Sequence, residues 1–297
     1  MKKEKKGQHQ ILLYYMYTKI TDPETFRKWQ LELCKNLGLK GRIIVAEEGI
    51  NGTLEGTIEN TKSYMREMKK DSRFKDIHWK RSPGDGDNFP RLSVKVKPEI
   101  VNLGLGEDDI DPNEITGTRL KPEELHKWYE AGEEFAMIDM RNDYEHKVGK
   151  FENSIEPETK YFRDLKAQMK TIDHLKDKKV ITVCTGGVRC EKASGYLKSQ
   201  GFKDVYQLDG GIVSYMEKYP GENFKGSLYV FDKRQTMHFD KPGEHKHITN
   251  CEHCGEPSDY MCNCANTKCN KKYVGCPNCV PSNRHRVCKN CEKVKVA

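Results

Sequence analysis

Nine of the twelve cysteines lie between Cys251 and Cys291, and this crowding constrains the fold of the C-terminal region more than any other feature of the chain. Most of them form Cys-x2-Cys pairs in a stretch that is short of aliphatic residues. The apolar run near the N-terminus is short and rich in tyrosine, so we expect a first strand there rather than a secretory signal. In a reducing compartment, cysteine pairs of this spacing indicate metal sites rather than disulfides.

Eight of these cysteines supply the ligands for two tetrahedral four-sulfur sites, which we expect to hold structural zinc. A filled sulfur shell leaves no open position for a substrate. Cys262 is not expected to be a ligand. Only one residue separates it from Cys264, and this spacing is unfavourable for two cysteines that bind the same ion. The expected ligand pairs are Cys251/Cys254, Cys264/Cys269, Cys276/Cys279 and Cys288/Cys291.

How these pairs combine stays open at the level of sequence. In a cross-braced arrangement the first and third pairs share one ion and the second and fourth pairs share the other, whereas sequential pairing joins neighbouring pairs. His253 and His285 are alternative ligands, although isolated histidines beside such clusters usually face solvent. An iron–sulfur cluster is the alternative to zinc.

Residues 1–103 are predicted to form a ferredoxin-like (acylphosphatase-like) α+β domain. ILLYYMYTKI is typical of a strand, and DPETFRKWQLELCKNLGL has helical spacing behind an N-cap at Asp22. GRIIVAEEGINGTLEG predicts two strands that meet at a Gly-Ile-Asn-Gly corner, TIENTKSYMREMKKD predicts a second helix, and RLSVKVKPEIV predicts the final strand. The order β-α-β-β-α-β is that of a ferredoxin-like fold.

A polar stretch at residues 104–119 is predicted to be a linker. Residues 120–225 then alternate between helical and strand patterns, which predicts an α/β domain with a parallel sheet. The cysteine-rich region, residues 226–297, completes a multidomain α+β and α/β chain.

The net charge of +7 favours an anionic partner such as nucleic acid, but only weakly. Eight zinc-bound thiolates would reduce it to about +3. No segment approaches the roughly 20 consecutive apolar residues that a membrane span needs. We therefore expect a cytoplasmic protein without a membrane partner, and the sequence gives no indication of its oligomeric state.

The loop CTGGVRC at residues 184–190 carries the main candidate for chemistry. The apolar strand VITV leads into Cys184, and Arg189 opens the helix that follows. Backbone amides and a helix N-terminus that face one sulfur lower the pKa of its thiol from about 8.5, and the thiolate is the nucleophile. The loop backbone expected to surround the sulfur comprises Thr185, Gly186, Gly187 and Val188.

The spacing Cys-x4-Arg makes a small cradle, whereas phosphatase loops of similar design have Cys-x5-Arg and hold a phosphate. The shorter loop favours chemistry at sulfur or another small centre over phosphoryl transfer. A buried structural cysteine at a strand end is the alternative interpretation, and the ordered strand, glycines, arginine and helix weigh against it.

Three further residues are candidate supports for this loop. Cys190 is either a resolving thiol that forms a disulfide with Cys184 during turnover or a packing residue in the first helical turn. Asp139 and Arg141 end the preceding buried strand, where they are expected to brace neighbouring loops, with direct catalysis as the alternative.

Several long motifs together resemble the bacterial rhodanese-domain tRNA uridine hydroxylases. They are KGRIIVAEEGINGT (40–53), RLSVKVKPEIVNLGL, CTGGVRCEKA (184–193), LDGGI and CANTKC. The resemblance implies a rhodanese fold for residues 120–225 and an oxygen-dependent hydroxylation of the wobble uridine of tRNA to 5-hydroxyuridine. It also implies that Cys184 is the active-site residue. Many rhodanese domains carry Gly-His where this chain has Lys150, and Ser or Thr where it has Cys190; the hydroxylase family shares the second departure.

The sequence has one activated cysteine and no recognisable flavin or haem motif. This suggests a mechanism in which the thiolate itself makes uracil reactive toward dioxygen, the co-substrate. Attack of Cys184 on C6 of uracil would make C5 an electron-rich enolate carbon, and Arg189 with the loop amides would stabilise the charge. Two alternatives are a sulfurtransferase that carries a persulfide on Cys184 and a non-catalytic adaptor built on an inactive rhodanese module.

The implied partner is the anticodon region of tRNA, whose wobble nucleotide must be unstacked to reach such a loop. Lys40, Arg42, Lys95 and Lys97 lie in or beside predicted strands of the first domain and are candidate RNA contacts. The ordinary alternative is that these scattered basic residues solvate the surface.

Overall fold

Five strands and two helices form the first part of the chain, in a computed structural model that describes residues 8–240, 243–280 and 287–295. The sheet has the order β4-β1-β3-β2-β5, and its neighbours are antiparallel except for the parallel pair β2–β5. The predicted succession β-α-β-β-α-β is present, with one strand more than predicted. The elements are β1 (His9–Tyr17), α1 (Pro23–Asn36), β2 (Lys40–Ala46), β3 (Gly49–Thr57), α2 (Ile58–Lys69), β4 (Lys80–Gly84) and β5 (Leu92–Val96).

Both helices pack on the same face of this sheet. Helix α1 begins as predicted, because the Asp22 carboxylate accepts a hydrogen bond of 2.9 Å from the Thr25 amide. Side chains alternate along a strand, so Leu12 belongs to the core beneath the helices, while its neighbour Leu13 faces the other side of the sheet. This other side of the sheet, which neither α1 nor α2 covers, is called the helix-free face.

One local prediction in this domain was wrong, and one strand was not predicted. Strands β2 and β3 turn at residues 47–48, so the Gly-Ile-Asn-Gly segment lies inside β3 instead of forming a corner. Its glycines permit close contact with β1: a Cβ on Gly49 would lie 2.0 Å from the Met16 carbonyl oxygen. The additional strand is β4, with the sequence KRSPG. Pro83 cannot donate to a ladder, but β4 is an edge strand, where proline is tolerated.

The central part of the chain has the predicted parallel sheet, in the order β6-β10-β9-β7. The sheet is covered on both faces: Ile138 and Val180 belong to one core, and Met137 and Ile181 belong to the other. The elements are β6 (Thr118–Leu120), α3 (Pro122–Ala131), β7 (Ala136–Asp139), α4 (Asp143–His146), β8 (Gly149–Phe151), α5 (Leu165–Gln168), β9 (Lys179–Val183), α6 (Val188–Ser199), β10 (Asp204–Leu208) and α7 (Gly211–Lys218).

The last part of the chain is built from short hairpins. Strand β11 (Phe224–Gly226) pairs with β8, and β12 (Leu228–Tyr229) pairs with β13 (Thr236–Met237). In the cysteine-rich region β14 (Tyr260–Asn263) pairs with β15 (Lys272–Gly275), and α8 (Lys289–Lys295) ends the described chain. Within the described ranges, no helix combines the length and the apolarity that crossing a membrane would take.

The first domain is docked onto the central one through a buried lysine. The Lys192 side chain, on α6, is fully buried, and its Nζ lies 2.7 Å from Glu48, 2.9 Å from Glu99 and 2.8 Å from Asp109. Asp109 belongs to the segment expected to be a linker, where Leu105 is also buried in the central core. This segment is therefore packed between the two domains, and β6 begins within its last residues.

Candidate active site

Cys184 lies where β9 ends and the loop to α6 begins, and its side chain is fully buried. The Gly187 amide donates a hydrogen bond of 3.2 Å to the sulfur. Gly187 has a φ of +99°, a left-handed conformation that glycine adopts without strain. The loop thus curls its backbone around the sulfur, with the N-terminus of α6 beyond it, as the sequence pattern predicts.

This environment favours the thiolate form of Cys184. Burial alone would raise the pKa of the thiol, but a hydrogen bond from the Cys190 side chain, the charge of Arg189 and the amides of Cys190 and Arg189 outweigh it, and the pKa falls to about 6. Burial and the neighbouring Cys184 charge raise the pKa of Cys190 well above its ordinary value. Cys190 is therefore the protonated partner that donates to the Cys184 thiolate.

Arg189 is held by an acid that the sequence analysis did not identify. Its guanidinium donates two hydrogen bonds to the Glu145 carboxylate, of 2.6 and 2.9 Å, and a longer one of 3.3 Å to the Thr185 hydroxyl. Burial opposes ionisation of Glu145, but the Arg189 charge and hydrogen bonds outweigh it and hold the pKa of that carboxyl below its usual range. Arg189 thus acts on the sulfur by its charge, from a fixed position.

Asp139 and Arg141 form a second ion pair below the loop, and both side chains are fully buried. The Arg141 guanidinium donates to both Asp139 oxygens, to the Gly149 carbonyl at 2.7 Å and to the Glu145 carbonyl at 3.5 Å. Through that last contact Arg141 supports the residue that holds Arg189. Both side chains are therefore engaged in contacts with the segment 139–149.

The helix-free face of the first domain covers the Cys184 loop. Leu13 and Tyr15 of β1 lie directly on the loop glycines: a Cβ on Gly186 would lie 2.9 Å from Leu13, and one on Gly187 would lie 2.9 Å from the Tyr15 hydroxyl. A larger residue at either position would displace the end of the Leu13 or Tyr15 side chain. The loop glycines therefore allow the first domain to pack closely on the loop, in addition to the curl of the backbone.

A cavity of about 670 Å³ lies between the loop, this sheet face and the segment around β12 and β13, with Cys184 among its lining residues. Such a volume falls within the roughly 300–1,000 Å³ of small-molecule sites. Among the residues that the structure describes, the acidic ones in its lining are Glu99 and Asp232. The basic lining residues are Arg42, Lys80, Arg81, Lys97, Arg163, Arg189 and Arg234.

Lys80 of β4 is a buried charged residue that the first domain contributes to this cavity. Only 6% of the residue is exposed, and its Nζ lies 5.4 Å from the centre of the Tyr15 ring. Burial lowers the pKa of Lys80, and the negative charge of Cys184 acts in the opposite direction. Lys80 and the Cys184 thiolate are therefore close enough to affect each other's ionisation, although 104 positions of sequence separate them.

The four basic residues expected to contact RNA share one face of the sheet but differ in whether they line the cavity. All four project from the helix-free face, because they alternate along the neighbouring strands β2 and β5 or directly follow β5. Arg42 and Lys97 line the cavity, whereas Lys95 is exposed outside it and Lys40 donates to the Gly86 carbonyl at 3.2 Å. Lys150, which replaces the usual Gly-His, pairs with Glu156 at 2.7 Å on the surface.

The eight predicted cysteine ligands come together in two groups of four, each with its sulfurs within 4.8 Å of one another. The pairing is the cross-braced one: Cys251, Cys254, Cys276 and Cys279 form one group, and Cys264, Cys269, Cys288 and Cys291 form the other. Cys262 and His253 belong to neither group. His285 lies outside the described residues.

The sulfur spacing fits a tetrahedral ion. Cys254 and Cys276 are separated by 3.7 Å, and Cys269 and Cys288 by 3.8 Å. A tetrahedron with metal–sulfur bonds of about 2.3 Å has edges of about 3.8 Å. Both cysteine clusters can therefore hold a metal ion.

Comparison with known proteins agrees with this architecture. Residues 9–100 match the family described as the UPF0176 acylphosphatase like domain, residues 121–218 match the rhodanese-like domain, and residues 225–292 match the rhodanase C-terminal family. These matches confirm the predicted fold class.

Two relatives that match over nearly the whole chain carry the same name. The chain is 44% identical to the tRNA uridine(34) hydroxylase of Corynebacterium kroppenstedtii, over 96% of this chain and 98% of the relative. It is 45% identical to the protein of that name in Bacillus licheniformis, over 96% of this chain and 88% of the relative. Similarity of this extent confirms the resemblance found in the motifs, and the chain belongs to the tRNA uridine(34) hydroxylase family.

Proposed function

We propose that this chain is an enzyme that hydroxylates uridine 34, the wobble uridine of tRNA, to 5-hydroxyuridine with dioxygen as co-substrate and Cys184 as the reacting residue. The observation that carries the proposal is a thiolate-stabilising loop that opens into a nucleotide-sized cavity, whose charged lining residues are mostly basic. The names of the whole-chain relatives support the substrate and the reaction.

The first step uses the Cys184 thiolate as a nucleophile. Its addition to C6 of uracil forms a carbon–sulfur bond and moves an electron pair toward C5 and the C4 oxygen, giving an enolate. Lys80 lines the same cavity as the thiolate and carries a positive charge that can stabilise this enolate, in addition to the charge of Arg189. Arg189 itself keeps its place through Glu145.

Dioxygen then oxidises C5, and thiols supply the remaining electrons. The enolate carbon forms a hydroperoxide, which the Cys190 thiol reduces to the hydroxyl while becoming a sulfenic acid. Loss of the C5 proton expels Cys184 from C6, and the freed thiol condenses with the sulfenic acid to a disulfide and water. Overall, uridine, dioxygen and two thiols give 5-hydroxyuridine, water and one disulfide, which a small thiol reduces again.

The cavity walls are suited to an anticodon nucleotide. Recognition of a base inside such a site requires that it be unstacked, and an aromatic face can replace the lost stacking. Phe231 lines the cavity and is 43% exposed, although large apolar side chains are usually buried. Arg42 and Lys97 line the same cavity, and their positive charges are suited to bind the phosphates of that nucleotide.

We propose zinc as the ion of both cysteine clusters, with a structural role. Four thiolates close each coordination shell, so neither ion has a position for substrate. Residues 226–297 then form a metal-stabilised third domain beside a first domain of residues 1–103 and a rhodanese domain of residues 120–225, with 104–119 as the packed connection.

Nucleoside mass spectrometry of tRNA tests this function directly. Cells that lack the gene should lose 5-hydroxyuridine and its derivatives, the wild-type gene should restore them, and the Cys184→Ser variant should not. A sulfurtransferase would instead transfer sulfur from thiosulfate to cyanide through Cys184 and leave 5-hydroxyuridine unchanged. Rescue by Cys184→Ser would refute the proposed role of the thiolate.

A further inference from the structure

A cluster of histidine and carboxylate side chains lies outside both cysteine clusters. His238, His245 and Asp259 place one ligand atom each within 4.8 Å of one another. The His245 Nε2 is 3.9 Å from Asp259 Oδ2, and the His238 Nε2 is 3.5 Å from the same oxygen. These residues come from three separate segments of the chain, so the fold, and not local sequence, brings them together.

The buried Ser227 hydroxyl contacts all three residues of this cluster. Its oxygen is 3.1 Å from the His238 Nδ1 and 3.2 Å from the His245 Nε2, and the hydroxyl donates to Asp259. A tetrahedral ion with bonds of about 2.0–2.1 Å to nitrogen and oxygen requires ligand separations of about 3.3 Å. The 3.5 Å between His238 and Asp259 is close to this value and the 3.9 Å between His245 and Asp259 is longer, so a small approach of the ligands would fit a small divalent ion.

The imidazole of His245 is oriented as a metal ligand is. Its Nδ1 lies 2.8 Å from the Asp240 carboxylate, to which it donates, so the neutral ring presents a lone pair on Nε2. That lone pair faces the Ser227 oxygen, whose single proton is already donated to Asp259. A histidine held by an outer carboxylate is the usual arrangement behind a metal-bound imidazole.

We propose that His238, His245 and Asp259 bind a third metal ion, a divalent first-row ion such as Zn²⁺ or Fe²⁺. Two imidazoles and one carboxylate suit these ions, whereas Mg²⁺ and Ca²⁺ prefer oxygen ligands. The Ser227 hydroxyl or a water completes the shell. The side chain of His238 is 44% exposed, so one side of the site is open to solvent and to ion exchange.

The position of the site indicates a structural role for the ion, next to the wall of the reaction cavity. Ser227 and His238 bracket the β12–β13 hairpin, which contributes Phe231 and Arg234 to the wall of the reaction cavity. Arg234 also reaches the first domain, through a hydrogen bond of 3.1 Å to the Ser82 hydroxyl. An ion at the base of this hairpin fixes the wall that closes the cavity.

Metal content measured on the full chain tests this proposal. After saturation with Zn²⁺ and gel filtration, mass spectrometry should find three ions per wild-type chain and two in the His245→Ala variant. His174, an exposed histidine outside the cluster, provides the matched control, and His174→Ala should keep three. A wild-type chain that saturates at two ions, or an His245→Ala variant that still holds three, would overturn the proposal.

Cobalt substitution and a milder variant distinguish the loss of this site from misfolding of the protein. The two sulfur sites give strong sulfur-to-cobalt absorption in the near ultraviolet, and the third equivalent should add only weak visible bands. Asp240→Asn keeps all three ligands and should weaken binding of the third ion by about 10- to 100-fold. A third equivalent that adds further sulfur-to-cobalt absorption, or affinity unchanged in Asp240→Asn, would also contradict the assignment.

Discussion

Arg189 and Glu145 are joined by two parallel hydrogen bonds, of 2.6 and 2.9 Å, beside the Cys184 loop. The Glu145 side chain is fully buried and that of Arg189 is 8% exposed, so water screens this pair little. A guanidinium that is fixed in this way presents a constant positive charge to the sulfur. The pair therefore links the stability of the rhodanese domain to the ionisation of its cysteine.

Replacing one residue of this ion pair leaves the other charge buried and unpaired. The losses of unfolding free energy in the two single variants should therefore add up to more than the loss in the double variant. We expect Glu145→Gln to lower the free energy of unfolding by about 3 kcal/mol, because it leaves a buried guanidinium without its carboxylate. The double variant Glu145→Gln/Arg189→Met should lose less than the sum of the two single losses. Urea unfolding of the four proteins measures this coupling, and strictly additive losses would contradict it.

The ionisation of Cys184 can be followed by alkylation at different pH. Since the pKa of its thiol is lowered to about 6, the rate with iodoacetamide should rise through about pH 6 and level off above it, where an ordinary thiol would continue to gain rate. Peptide mapping separates Cys184 from Cys34, whose pKa is raised by burial to about 12 and which should stay unmodified.

The Cys190 hydrogen bond offers a matched comparison for the same assay. Cys190→Ala removes the donor and should move the alkylation profile of Cys184 to higher pH, whereas Cys190→Ser keeps a hydroxyl donor and should move it less. Identical profiles for both variants and the wild type would show that Cys190 does not stabilise the thiolate.

The sequence predicted the loop well because its components are local. A strand, two glycines, an arginine and a helix follow one another within a few residues, and each has a direct signature in the order of residues. The cysteine ligands were predictable for the same reason, since Cys-x2-Cys pairs are local, but their cross-braced combination depends on how β14 and β15 fold.

Contacts between distant segments could not be predicted in this way. Glu145 follows Asp139 by six positions in an ordinary polar stretch, and only the folded chain turns it toward Arg189. Lys80 stands in a strand that was itself not predicted. The His238, His245 and Asp259 cluster has no regular spacing that would have identified it.

Lys80 should contribute to the reaction through its charge. We expect Lys80→Met to lower kcat/KM for tRNA hydroxylation by about 100-fold, because a buried positive charge near the developing enolate is lost. Lys80→Arg should recover part of this loss. Lys95, exposed on the same sheet face but outside the cavity, is the control, and Lys95→Met should stay within about twofold of the wild type. Equal rates in Lys80→Met and Lys95→Met would exclude this role.

Lys192 should control how the first domain is docked. Lys192→Met leaves Glu48, Glu99 and Asp109 facing one another without their cation, and we expect a loss of about 2–3 kcal/mol in unfolding free energy. Hydrogen exchange should also rise in the segments of the two glutamates. Lys203 forms an exposed pair with Asp177, so Lys203→Met should leave both readouts unchanged. Unchanged exchange in Lys192→Met would show that the domains dock without this contact.

Hydroxylation of purified tRNA under isotopically labelled dioxygen tests the central claim most directly. Wild-type protein with a small thiol should place one ¹⁸O atom from ¹⁸O₂ on uridine 34, and the Cys184→Ser variant, folded and metal-loaded, should place none. Labelled 5-hydroxyuridine formed at the wild-type rate by Cys184→Ser would contradict the account.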